Sequence, residues 1–148
     1  MRAAYDSLVK NGYVVLDHVF AADKIAALHR EFDSRYRRYY QDNELDDTLE
    51  VGNRRYMIPV ALAGPFADPE IYANPAVVAV ARLALDLDAV LESCGAVIAL
   101  SESRQQHIHR DGPVLFDSAI SAMLPAHALT FVLPLIDMNE EHGTTALW

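Results

Sequence analysis

The stretch Gln105-Gln106-His107-Ile108-His109-Arg110-Asp111-Gly112 puts two histidines and a carboxylate at alternate positions. Read as a strand, it turns every second side chain to the same face, so His109 and Asp111 point together into one cavity and His107 shares their parity. An imidazole and a carboxylate converging there are two thirds of the 2-His-1-carboxylate triad. That triad holds non-haem Fe(II) and leaves coordination positions open. The tripeptide His-x-Asp alone decides nothing in a chain with six histidines. Its context adds weight, because an apolar strand precedes it and Gly112-Pro113, where a strand end opens toward a pocket, follows it. On these residues alone, metal binding and a structural role both remain open.

The surrounding chain is the size of one ordinary domain. Its 148 residues are enough to bury a core without disulfides, and 52% of them are hydrophobic, at a mean hydropathy of +0.06. No apolar run approaches the roughly 20 residues of a membrane span, and the first residues do not read as a secretory signal. The cytoplasm is the expected compartment. The single Cys94 makes no internal disulfide, in keeping with a reducing compartment, and reads as a buried residue. A net charge of −9 argues against a nucleic-acid surface. Arg35, Arg37 and Arg38, interleaved with Tyr36, Tyr39 and Tyr40, read as a solvated helix face. No Gly-x-Ser-x-Gly elbow, phosphate loop or dinucleotide fingerprint occurs, so hydrolase and nucleotide-binding readings fit poorly.

Taken in order, Tyr5, Leu8 and Val9 predict a short helix stopped by Asn11-Gly12. Tyr13-Val14-Val15-Leu16 predicts a strand closed by Asp17-His18. A second helix is expected from Asp23 as N-cap, with Ile25, Leu28, Phe32 and Tyr36 as its apolar stripe and His29 off that stripe. Residues 41 to 50 read as an acidic surface loop. Residues 56 to 62 read as a strand in which Pro59 points to a sheet edge or a bulge. Asn74-Pro75 predicts the start of a helix running to about residue 86, apolar nearly all round and therefore core against a sheet. Strands are expected over residues 96–100 and 128–136, the latter carrying Thr130, and residues 137–143 form a polar turn. Helices first and short strands after them suggest an α+β chain with N-terminal helices packed on a jelly roll.

With these residues in view, the chain resembles the phytanoyl-CoA dioxygenase family of Fe(II)/2-oxoglutarate-dependent oxygenases along nearly its whole length. The resemblance is carried by Asn11-Gly12-Tyr13-Val14-Val15-Leu16, by Pro65-Phe66 and Tyr72-Ala73-Asn74-Pro75, and most specifically by Gln106-His107-Ile108-His109-Arg110-Asp111-Gly112. Leu124-Pro125-Ala126, Leu133-Pro134-Leu135-Ile136-Asp137 and Gly143-Thr144-Thr145-Ala146-Leu147-Trp148 extend it.

The resemblance implies one domain over residues 1–148 with a partial double-stranded β-helix of cupin-like type. It implies His109 and Asp111 as the first two iron ligands, 2-oxoglutarate as co-substrate, and hydroxylation of a small organic molecule with dioxygen. The family's third ligand, a histidine in a Gly-Ser-His segment, and the arginine that pairs with 2-oxoglutarate would both follow Trp148. The chain is therefore expected to lack the C-terminal part of a family member. Within it, His127 and His142 are the remaining candidates for a third ligand. Gln106 and Thr130 are candidate polar contacts to the co-substrate, Arg55 is a candidate partner for a carboxylate, and His107 a candidate supporting donor; an ordinary strand hydrogen bond is the alternative for Gln106 and Thr130. The acidic charge offers no cradle for coenzyme A phosphates. A non-catalytic relative acting as a binding or assembly module is the alternative function, and a cupin-like metal protein independent of 2-oxoglutarate is a third. Substrate and oligomeric state stay open.

Overall fold

The computed structural model describes residues 1–41, 47–112, 114–116, 120 and 124–147. Part of the expected acidic loop, Pro113 of the Gly-Pro pair and Trp148 lie outside the described residues. The chain divides into two compact units. One comprises Met1–Asp17, Ala73–Val90 and His107–Val132, the other His18–Tyr72, Leu91–Gln106 and Leu133–Trp148.

In the first unit, α1 (Arg2–Asn11) packs on α5 (Pro75–Ala84). The first helix stops where expected: Gly12 takes φ 80, a left-handed conformation that costs glycine nothing, and its N–H closes on the Leu8 carbonyl at 2.8 Å. Helix α5 starts at the predicted signal. The Asn74 side chain accepts the Ala76 N–H at 2.9 Å, and Pro75 fills the first position, where an N–H has no helical partner. Its burial is a correction. Val80 is buried, but Leu83 is 42% exposed, and the helix ends at Ala84. The apolar run therefore lies half-buried beside α1.

The second unit holds the core. Helix α2 (Ala22–Tyr36) is capped two residues earlier than expected, with Ala21 at the N-cap and Asp23 inside the first turn. Its apolar stripe is as read: Leu28 and Tyr36 are buried, Ile25 and Phe32 pack beside them, and His29 is exposed. Tyr39 on the short α3 (Arg38–Gln41), Ile58, Val60 and Phe66 complete the cluster. The arginine face is laced by ion pairs, Arg35 to Glu31 and Arg37 to Asp33 one turn away and Arg38 to Asp47 at 3.1 Å.

Strands β1 (Leu49–Gly52), β2 (Arg55–Pro59) and β3 (Gly95–Ala99) form an antiparallel sheet in the order β1-β2-β3. Pro59 is thus not on an edge strand but at the last position of the central one, opposite Gly95, where the ladder ends. The bulge lies instead in β1, between Glu50 and Gly52. A 3-10 turn (Gly64–Ala67) and α4 (Pro69–Tyr72) follow β2. Cys94 is half-buried against the core rather than fully buried.

Two expected strands differ. Residues 13–16 and 128–136 have no regular ladder, and His18 sits in a turn at φ 57. Leu133 and Leu135 still pack against the core cluster, two residues apart as on a pleated segment. Leu129, Phe131 and Val132 are 39%, 45% and 64% exposed. The architecture is α+β with a small antiparallel sheet. Among the described residues no helix is long and apolar enough to cross a membrane.

Candidate metal-binding segment

The chain leaves β3 at Ala99, turns at Ser101-Glu102 with Glu102 at φ 65, and runs irregularly through residues 103–110 with a bend at Ile108. The segment is not a strand, which corrects the reading from alternate positions. His109 and Asp111 nevertheless converge. His109 Nε2 lies 3.5 Å from Asp111 Oδ1. The cause is local: His109 Nδ1 lies 2.8 Å from the carbonyl oxygen of His107, which can only accept. In the neutral ring Nδ1 therefore carries the proton, and Nε2 keeps its lone pair on the side of Asp111. The His107 and His109 rings are tilted at 54° with centroids 5.5 Å apart.

Both side chains are open to solvent, His109 at 41% and Asp111 at 62% exposure, so the expected enclosed cavity is not what surrounds them. Without a metal this geometry is a partly exposed ion pair when the imidazole is charged, and such pairs contribute little to stability.

The other sequence-predicted residues are placed as follows. His127 and Thr130 lie exposed in the same unit as His109. Gln106, Arg55 and His142 belong to the other unit. Arg55 opens β2, with Gly52 and Ala99 as its partners across the sheet, and is half-buried. Gln106 donates its side-chain amide to the carbonyl of Val51. His142 sits in the polar turn, its Nδ1 3.2 Å from the Asp137 carbonyl, while Asn139 Oδ1 accepts the Glu141 and His142 N–H groups at 3.0 Å each. Among the described residues no three His, Cys, Asp or Glu side chains are grouped to hold an ion. His109 and Asp111 are thus a pair without a third protein donor among those residues.

The second unit also carries an open groove of about 440 Å³, lined by Asp23, Lys24, Leu28, Pro65, Asp68 and Glu70 among others. Sequence reading did not single it out. Lys24 bonds to Asp68 at 2.8 Å and to Glu70, so its charge is matched within the groove. The two carboxylates raise the ammonium pKa, and Lys24 holds the Asp68 carboxyl below its usual range.

No match was found among curated proteins or among solved structures. Residues 8–148 match the family described as phytanoyl-CoA dioxygenase, a span that includes the whole His107 to Asp111 segment. By that match the chain belongs to the phytanoyl-CoA dioxygenase family.

Proposed function

We propose that this chain serves an Fe(II)/2-oxoglutarate-dependent dioxygenase that hydroxylates a small organic molecule, with His109 and Asp111 as two of the iron ligands. Family membership supports dioxygenase-type chemistry, with O2 and a small-molecule substrate. One observation carries the assignment of residues: the free Nε2 lone pair of His109 facing an Asp111 oxygen at 3.5 Å.

The donor pair fits a first-row metal ion. At 3.5 Å, His109 Nε2 and Asp111 Oδ1 are near enough that both would hold one ion. Neutral imidazole and carboxylate are the donor types that Fe(II) oxygenase sites use. The His107 carbonyl does what the supporting partner of a metal-bound histidine does, fixing tautomer and ring orientation. Iron, when bound with 2-oxoglutarate, would activate dioxygen, which is the oxidant: two of its four oxidising equivalents convert 2-oxoglutarate to succinate and CO2 and two hydroxylate the substrate. The chain's own part is to present the two donors. In this reading the jelly roll of the family is the scaffold, and Thr130, in the same unit as His109, is a contact to the co-substrate.

The exposure of both side chains favours a second reading, a non-catalytic relative whose surface serves binding or assembly. Turnover separates the two. With Fe(II), 2-oxoglutarate and O2, the oxygenase reading predicts succinate formation that is lost in His109→Ala and Asp111→Ala; succinate formation at background level in the unaltered protein supports the binding module.

A further inference from the structure

We propose that Gln106 is a positioning residue for the segment carrying His109 and Asp111, fixing the point where the chain enters it by a bond to the Val51 carbonyl at the bulge of β1. The proposal rests on the reading of those two side chains as metal ligands.

Residues 100–106, the run leading directly into His107, are laced onto residues 51–54. Leu100 N donates to the Arg54 carbonyl at 3.0 Å, and Arg54 Nε donates to the Ser101 carbonyl at 2.8 Å. Ser103 Oγ lies 2.8 Å from the Arg54 carbonyl and 2.6 Å from that of Leu100, and its hydrogen serves either. The last rung is Gln106, whose Nε2 donates to Val51 O at 2.5 Å, 55 residues away in the chain. Arg54 takes part at φ 54, the left-handed conformation that a side chain adopts only when its surroundings hold it there.

Two features of β1 fit this use. Its register passes from Glu50 opposite Tyr56 to Gly52 opposite Arg55, so Val51 is the residue without a partner. A bulge leaves such a residue out of the ladder, and Gln106 takes up its carbonyl. Gly52 then gives the Gln106 side chain its room, because a Cβ there would sit 3.3 Å from Gln106 Cγ, tighter than ordinary packing. Bulge, glycine and amide thus work as one clasp. Beyond it the segment is exposed and has no ladder, so the clasp is the last hydrogen-bonded rung before His107.

Gln106→Leu removes the donor at similar size, Gln106→Glu turns a carboxylate toward the carbonyl, and Gln106→Lys keeps an N–H donor within reach. Backbone NMR order parameters of the whole chain read the clasp without any metal. Those of residues 106–112 are expected to fall toward the flexible range in the Leu and Glu variants, with β2 and β3 unchanged, and to recover in the Lys variant. Co(II) titration reads the consequence: affinity falls about tenfold, the size of a lost supporting contact at a metal site, with an altered visible spectrum. Unchanged order parameters in the Leu and Glu variants, or lowered ones with Co(II) affinity and spectrum unaltered, overturn the proposal. An unaltered protein that binds no Co(II), while the order parameters still fall in Gln106→Leu, contradicts the metal reading and upholds the clasp.

Discussion

His109 Nε2 faces Asp111 Oδ1 across 3.5 Å because the other nitrogen of the same ring is tied to the His107 carbonyl at 2.8 Å. The lone pair that a metal would use is presented by a backbone contact, not by the side chain of His107. His107→Ala is therefore expected to keep Co(II) affinity within about threefold, while His109→Ala and Asp111→Ala lower it about a hundredfold or more. Calorimetric titration of the three variants makes the comparison.

Leu28 is 1% exposed at the centre of the cluster formed with Tyr36, Ile58 and Phe66. Leu28→Ala leaves a cavity there and is expected to cost about 2–5 kcal/mol, measured by denaturant unfolding. The exposed Leu129→Ala, by contrast, should change stability by less than about 0.5 kcal/mol.

Asn74 is buried, and its side chain accepts the Ala76 N–H at the start of α5. Asn74→Ala is expected to destabilise by about 1 kcal/mol, and Asn74→Asp, which keeps the acceptor and favours the helix dipole, by less. Thermal melts of the two variants test the cap.

Burial, and then its hydrogen bond to Asp33, push the Tyr40 hydroxyl up from 10.0 to about 12. The folded state thus keeps a proton that the unfolded state loses above pH 10. The resulting stability is fully present below pH 10 and is lost as pH rises toward 12. Asp33 behaves oppositely: the Tyr40 hydroxyl, and then Arg37, hold its carboxyl below 3.8, so its contribution is lost as pH falls below the ordinary carboxylate range. In Tyr40→Phe the decline between pH 10 and 12 should be shallower than in the unaltered protein, as followed by unfolding at each pH.

Local signals were legible in the chain and distant pairings were not. The stripe from Ile25 to Tyr36 and the Asn74-Pro75 start depend on neighbours within a turn, and both are found. Residues 13–16 and 128–136 have strand composition, but a strand exists only with a partner, which composition does not name. Pro59 marked a ladder that ends, yet its place on the central strand depends on β3, some 35 residues later. At the candidate site the convergence of His109 and Asp111 was legible, although a bend and a backbone contact produce it rather than a strand period. The bond from Gln106 to Val51 had no local signal at all.

Anaerobic titration of the protein with Fe(II) and 2-oxoglutarate decides whether His109 and Asp111 are iron ligands, through the weak visible charge-transfer band of the chelated pair. The expected result is a band that is lost in His109→Ala and in Asp111→Ala. A band that survives both substitutions, or none in the unaltered protein, rules the two ligands out.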